Sequence, residues 1–502
     1  MSNINFNKDW FGKWAGYAPI KTVVSDADTG DSLTYQQLNN LSNYLAQKLE
    51  DMGLQAGDRV AVLSEYRLEY IELLGAAMKL GVILVPLNYR LSSREIAFMI
   101  DNCKPVLLCY ERPYEGLIDH AEIETTIDHQ LTMSALSHEL NKQGETYDFS
   151  PQKLNDDHPL FIIYTSGTTG FPKGAIYTYQ MALWNAVNTQ ARLDITAQDH
   201  TLICMPPFHT AGWNVLMMPF LLQGGSFTLL RKFDASRVLQ LLEAEEATLF
   251  MGVPTILKML AEAPEFDAVA LKSLRYFIVG GEAMPLPLIQ LWEQKGIPIR
   301  QGFGLTEVGP NVFSLHHDDA IRKIGSIGTP NFFVDVKLMK QDGREAGVDE
   351  EGELWLKGPV TTPGYWQNEE ATEGAFSDGW FRTGDILVCD SEGYYYVKDR
   401  IKNMFISGGE NVYPAEVERC LQMHPAIAEV AVIGVPDRKW GEVGKAIIVP
   451  AEPSLTEAEI PEFCLGKLAK YKIPKHVIFV DEIAKTESGK IDRKALQQYV
   501  DV

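Results

Sequence analysis

Thiol pairs are missing from this chain. Its cysteines fall at 103, 109, 204, 389, 420 and 464, and no two form a CxxC motif. That spacing gives neither a thiolate zinc site nor a redox dithiol. Scattered thiols in a long chain fit a reducing compartment, so a cytoplasmic protein is expected. Basic charge is also short. There are 45 Lys and Arg against 67 Asp and Glu, a net charge of −22, which excludes a general nucleic-acid binder. The N-terminal MSNINFNKDWFGK has no apolar core of signal-peptide length. The most apolar stretch, Trp213–Leu230, is broken by Asn214, Pro219, Gln223, Gly224 and Gly225. It reads as a buried helix and turn, and no transmembrane segment is expected. Internal repeats and low-complexity tracts are absent too.

What is present is an ordinary globular composition, 46% hydrophobic and 22% charged over 502 residues. That length exceeds a single compact core. The first third alternates helix and strand patterns, which implies α/β layers. Thr34 caps a helix whose Leu38, Leu41, Leu45 and Leu49 share a face. Arg59–Leu63 and Val82–Val85 read as strands around a helix at Leu68–Leu80. Leu160–Tyr164 reads as a buried strand, and Phe277–Val279 as a strand ending at Gly280-Gly281. Beyond Asn331 the helix signal fades into strands at Val334–Met339, Gly352–Lys357 and Tyr394–Lys398. A smaller unit starts near Ile401, with a strand at Met404–Ser407, a helix at Ala415–Met423, and strands at Glu429–Val435, Lys445–Val449 and His476–Val480. Thr456 and Glu459 stand at capping-box spacing before another helix.

The segment Tyr164–Gly174 (YTSGTTGFPKG) follows one of these strands. Its glycines let backbone approach phosphate oxygens, and successive N–H groups can form an anion-binding concavity. Thr165, Ser166, Thr168 and Thr169 add hydroxyl donors, Gly167 and Gly170 add freedom, and Lys173 adds a point charge. It is not a Walker A loop, which needs Gly-Lys followed by Ser or Thr. The Gly-Lys pairs elsewhere are followed by Trp14, Ala446, Leu468 and Ile491, so P-loop kinase or GTPase chemistry is disfavoured.

This string resembles the signature of the adenylate-forming superfamily: acyl-CoA synthetases, adenylation domains and firefly-type luciferases. Further matches follow in the family's order over nearly the whole chain. Gly281-Glu282-Ala283 resembles the adenine-contacting turn. Gly302-Phe303-Gly304-Leu305-Thr306-Glu307 resembles the acidic motif. The resemblance implies that Phe303 stacks on adenine, Thr306 meets the α-phosphate and Glu307 holds Mg²⁺. A carboxylate there suits a hard cation that bridges phosphates. The family more often has Tyr where this chain has Phe303, so a phenol hydrogen bond is lost and stacking kept. Asp385, after Trp380-Phe381-Arg382-Thr383-Gly384, matches the ribose-binding aspartate. A carboxylate can accept from both hydroxyls of a diol. Arg400 matches the arginine that reaches ribose and phosphate, Lys402 the hinge, and Lys490 the adenylation lysine. The positive charge of Lys490 would stabilise the transition state at the α-phosphate.

The acid and thiol sides are also marked. His209, in Pro206–Trp213, resembles a residue beside the acyl pocket. No acidic residue lies between Met205 and Arg231, so an amino-acid substrate would bury an ammonium without a counter-charge. Trp213, Val215, Phe313 and Ile324 suggest an apolar pocket. Gly408 and Gly409 resemble positions along the pantetheine tunnel of CoA ligases, and Trp440, in Trp440-Gly441-Glu442, also matches the CoA-ligase pattern.

The resemblance implies an α/β fold with a large, multi-layer N-terminal domain at 1–400 and a mobile domain at 401–502. It implies a ligase that uses ATP, Mg²⁺ and coenzyme A on an apolar fatty or aryl carboxylic acid. The expected partners are these small molecules, with a homodimer compatible. The rivals are a stand-alone adenylation enzyme loading a carrier protein, a luciferase-like oxygenase and a non-catalytic ATP-binding protein.

Overall fold

A computed structural model describes residues 7–137, 146–165, 172–281, 284–408, 410–486 and 490–500. The chain forms two compact units, each made of two segments. The first is Met1–Val336 with Leu356–Phe381, and the second is Lys337–Trp355 with Arg382–Val502. Residues 382–400 belong to the second unit because they bond to 351–355. The Thr383 hydroxyl donates to the Leu354 carbonyl at 2.8 Å, and the Gly384 N–H donates to Glu353 Oε1 at 3.2 Å.

In the first unit, the helix Tyr35–Asp51 starts at Thr34 through a reciprocal capping box with Gln37. Its Leu38, Leu45 and Leu49 are buried. The next helix, Leu68–Leu80, is buried on every side except at Leu68. A helix that is apolar nearly all round must lie inside. Its one buried cation, Lys79, is matched by Asp9 at 2.6 Å.

Two sheets organise this unit. In one, His129–Thr132, Leu107–Tyr110, Arg59–Leu63, Ile83–Pro86 and Pro159–Thr165 run parallel. Lys173–Thr178 then pairs antiparallel with Pro159–Thr165. The other sheet has a parallel core of Thr22–Asp26, Ser226–Leu229, His200–Ile203, Leu249–Gly252, Tyr276–Val279 and Ile299–Phe303. Phe313–Ser314 and Ser326–Pro330 extend it antiparallel. Parallel strands buried on both faces read as continuous apolar runs, which is why those at 59–63, 83–86, 159–165 and 276–279 were legible, whereas His129–Thr132, with no fully buried residue, was not.

The apolar stretch from Trp213 resolves into helix Met217–Gln223, a left-handed Gly224 and strand Ser226–Leu229. Among the described residues, no helix is long and apolar enough to cross a membrane.

In the second unit, Ile427–Asp437 and Gly441–Pro450 form a long antiparallel hairpin. Phe405–Ser407, itself paired with Glu410–Val412, and His476–Phe479 both pair with Gly441–Pro450, along the edge facing away from Ile427–Asp437. The hairpin strands outrun the expected 429–435 and 445–449 because pairing continues to the turn, up to Asp437 opposite Gly441. Asp437 closes that turn by accepting from the N–H groups of Lys439 and Trp440. One expectation needs correcting. Thr456 and Glu459 do bond, but both donors belong to Thr456, and the helix Glu459–Cys464 begins only after Ala458.

Candidate active site

The ends of three strands carry the motifs of the first unit. In α/β sheets, ligands gather where strands deliver their carboxyl ends. Pro159–Thr165 ends at Thr165, Tyr276–Val279 leads into Gly280-Gly281, and Ile299–Phe303 leads into Gly304 and Thr306. Ser166, Gly167, Thr168, Thr169 and Gly170 of the phosphate loop lie outside the described residues, as do Glu282, Ala283 and Gly409. The loop's flanks are described and form a hairpin, with Thr165 opposite Lys173. Sequence reasoning took the second strand of that hairpin for the end of a loop.

Glu307 is the focus of this unit. It is 8% exposed in a single turn, Thr306–Val308. The Tyr365 hydroxyl donates to its Oε1 at 2.9 Å, and the Thr165 hydroxyl lies 3.4 Å from the same atom. The Lys173 ammonium sits 5.3 Å from the centre of the Tyr365 ring. Residues far apart in sequence thus meet: Thr165, Lys173, Glu307 and one that sequence reasoning missed, Tyr365. Its only sequence signal was an aromatic pair after a Pro-Gly step.

The neighbouring motif residues are held by close backbone packing. A Cβ on Gly304 would come within 2.1 Å of the Pro310 carbonyl oxygen, so only glycine fits there. Gly281 takes a positive φ of 87°, again a glycine conformation. Phe303 meets Phe313 edge-on at 5.9 Å. His209 precedes the short helix Thr210–Asn214, with its ring 4.7 Å from that of Phe208.

The expected apolar pocket is only partly supported. Trp213, Val215 and Phe313 are buried, but Trp213 packs into the core against Phe161, Tyr66 and Tyr70. Ile324 is 44% exposed, because the turn around Gly325 carries it to the surface.

The second unit gathers Asp385, Arg400, Lys402 and Lys490. Asp385 and Arg400 face each other across a hairpin, and the Arg400 Nε donates to Asp385 Oδ1 at 2.9 Å. Asp385 Oδ2 is buried and accepts no hydrogen bond among the described residues. Burial raises the Asp385 carboxyl above its usual value, against the pull of Arg400 and then Lys490. Lys490 is therefore electrostatically coupled to Asp385. Lys402 lies beside them, and partial desolvation of its ammonium, then the positive charges of Arg400 and Lys494, lower its affinity for the proton.

Asp399, next to Arg400, is structural: it accepts from Asn403 and from the N–H of Ala415, at the start of helix Pro414–Leu421. Gly408 and Trp440 also meet. The Gly408 N–H donates to the Trp440 carbonyl at 2.8 Å, and Lys439 and Lys475 flank the indole at 5.0 and 4.8 Å.

The chemistry of these donors suits the expected ligands. A buried acceptor without a donor fits a ribose hydroxyl. At Glu307 both hydrogen bonds fall on Oε1, and Oε2 takes none among the described residues. That leaves a hard carboxylate oxygen suited to Mg²⁺. Another cluster, His316, His317 and Asp318, has metal-ligand spacing. However, the Arg300 guanidinium donates to a ring nitrogen of each histidine, so a cation there would meet a positive charge.

Comparison with known proteins gives the family. The AMP-binding enzyme family matches residues 11–366, and the AMP-binding enzyme C-terminal domain matches 416–490. The chain is 38% identical over 490 residues to a long-chain-fatty-acid–CoA ligase of Mycobacterium tuberculosis, covering 96% of each. It is 38% identical over 483 residues to a feruloyl-CoA synthase of an Amycolatopsis species, again covering 96% of each. The structure of o-succinylbenzoate–CoA synthetase from Bacillus subtilis, in complex with ATP and magnesium, superimposes with a TM-score of 0.86 at 32% identity. That match covers 97% of this chain and 99% of the other. With family matches in both parts of the chain and relatives along nearly its whole length, this protein belongs to the AMP-binding enzymes, in the acyl-CoA synthetase branch of the adenylate-forming superfamily.

Proposed function

We propose that this protein is an ATP-dependent carboxylic acid–CoA ligase working through an acyl-AMP on an apolar fatty or aryl acid. The single observation that carries the reading is the buried, unmatched Oδ2 of Asp385 beside Arg400, in the field of Lys490. It is what a ribose diol next to a reacting α-phosphate requires.

In the first half-reaction, a substrate carboxylate oxygen attacks the α-phosphorus, and the bond to the pyrophosphate oxygen breaks. Asp385 and Arg400 hold the ribose, and Phe303 with the turn at Gly281–Ala283 holds adenine. Thr306 and Lys490 meet the charge that builds on the α-phosphate oxygens. Thr165 to Gly170 and Lys173 bind the departing pyrophosphate. Mg²⁺ at Glu307 would neutralise phosphate charge. In the second half-reaction the CoA sulfur attacks the acyl carbonyl and AMP leaves. Gly408, Gly409 and Trp440 line the thiol's approach, and His209 gates the path to the acyl group.

For this second step the piece 401–502 turns about Lys402. Compactness groups 382–400 with that piece, but the pivot concerns motion, and the two divisions need not coincide. The acid is assigned from two supports. No carboxylate lies between Met205 and Arg231 to receive an ammonium, and the relatives are named for fatty and aryl acids. All six cysteines are free, in keeping with a cytoplasmic location. Sedimentation would distinguish a monomer from a homodimer.

The test is CoA-dependent release of AMP from ATP across fatty and aryl acids of graded size. AMP and acyl-CoA in equal amounts are expected with at least one acid. ATP binding with no pyrophosphate exchange on any acid would overturn the reading. Faster transfer to a phosphopantetheinyl protein than to CoA would favour the carrier-loading alternative.

A further inference from the structure

Tyr365 has no part in the scheme above, yet its hydroxyl makes the shorter of the two hydrogen bonds to Glu307. Its backbone explains how it gets there. Residues 362–366 form a strap along the outer strand of the phosphate hairpin. The Ile176 N–H donates to the Gly364 carbonyl at 3.1 Å, and the Trp366 N–H to the Gly174 carbonyl at 2.7 Å. Ala175 and Tyr365 form a β-bridge between these bonds. The strap is also tied directly to the acidic motif, since the Thr362 N–H donates to the Glu307 carbonyl at 2.7 Å. Gly364 has a φ of 146°, and a Cβ there would strike the Thr372 side chain at 2.5 Å. These bonds hold the strap against the hairpin and the acidic motif, and they place the Tyr365 ring beside the hairpin lysine with its hydroxyl on Glu307.

This arrangement has a chemical use. A carboxylate with two equivalent oxygens can swing, and a swinging ligand binds a small, geometrically strict cation poorly. A donor that captures one oxygen fixes the group and leaves the other for the metal. Partners of this kind set ligand orientation and strengthen metal binding.

We propose that Tyr365 is a positioning residue for the phosphate-bridging cation: its hydroxyl fixes Glu307 through Oε1 so that Oε2 is presented to Mg²⁺. This rests on Glu307 being the metal-binding carboxylate. The same ring faces Lys173, so one side chain aligns the two positive charges that the pyrophosphate meets. The hydroxyl acts on the metal, whereas the ring acts on the lysine.

The experiment measures Mn²⁺, as a paramagnetic stand-in for Mg²⁺, binding to the full-length protein with a non-hydrolysable ATP analogue. Free Mn²⁺ is read by electron paramagnetic resonance, so no turnover is needed. Tyr365→Phe keeps the ring and removes the donor. It is expected to weaken Mn²⁺ binding by about 10-fold or more, with an unchanged melting temperature and unchanged affinity for the analogue in EDTA. Excess Mg²⁺ should restore its turnover number. Thr165→Val, which removes the longer bond to the same oxygen, should cost less.

Mn²⁺ binding by Tyr365→Phe within twofold of wild type would overturn the proposal. So would a larger loss in Thr165→Val whose affinity for the analogue in EDTA is unchanged, which can be judged even if Tyr365→Phe fails to fold. If Glu307→Gln binds Mn²⁺ as well as the wild type does, the assignment of Glu307 itself fails. That outcome is separate from a failure of Tyr365.

Discussion

At the scale of single residues, charge placement governs both chemistry and stability. Lys490 lies close enough to Asp385 to influence its ionisation, and the proposed role of its ammonium is confined to adenylation. Lys490→Ala should therefore reduce pyrophosphate exchange by about 10²-fold or more, the scale seen when one transition-state donor is removed. Thioester formation from supplied acyl-AMP should persist, and equal loss of both steps would refute the assignment. Glu72 makes a different point. It is 4% exposed, its Oε2 has no partner among the described residues, and burial, helped by Glu69, raises its carboxyl to about 8. A carboxyl raised in the folded state binds a proton that the unfolded chain has already lost. Stability therefore falls as pH rises from about 4.5 toward 8, by an amount on the order of a few kcal/mol. Glu72→Gln should remove this slope. Relative to wild type, its urea midpoint should improve between pH 5 and pH 8, and parallel profiles would show that Glu72 does not titrate there.

At the scale of elements, the strands and helices that were legible are those whose apolar spacing is dictated by burial. Leu68–Leu80 is a helix with the bounds its sequence indicates, and the strand at 59–63 likewise. What escaped were features set by partners rather than by local pattern. Lys173–Thr178 is a strand because Pro159–Thr165 lies beside it. Tyr365 matters through Glu307, 58 residues away, and no local pattern encodes that distance. Ile324 was read from hydrophobicity alone, and a turn at Gly325 places it at the surface. The loop of Gly408 and the turn of Trp440 form one joined element. A Cβ on Gly408 would meet the indole at 2.8 Å. Trp440→Ala should raise the KM for CoA about 10-fold while pyrophosphate exchange stays within twofold. Loss of exchange would mean that the tryptophan serves the first step or the fold instead.

At the scale of the whole molecule, the proposed pivot makes a prediction about access. Arg400 and Lys402 are both exposed, and each is a tryptic cleavage site. If the piece after residue 400 turns between the two steps, tryptic cleavage there should change several-fold between a non-reactive acyl-AMP analogue and AMP with CoA. Identical rates in both states would argue against rotation at this point. The strap that seats Tyr365 also bears on how the protein is made. The Thr362 hydroxyl donates to the Ile176 carbonyl across 186 residues, and Lys21 donates to the Gly224 carbonyl across 203. Contacts this distant form late, since the chain between must first be closed. On a ribosome, the phosphate hairpin therefore emerges long before the segment that completes it. A nascent chain halted before residue 362 would carry the signature loop yet lack the side chain that steadies Glu307, so a fully ordered cation site would have to await later synthesis.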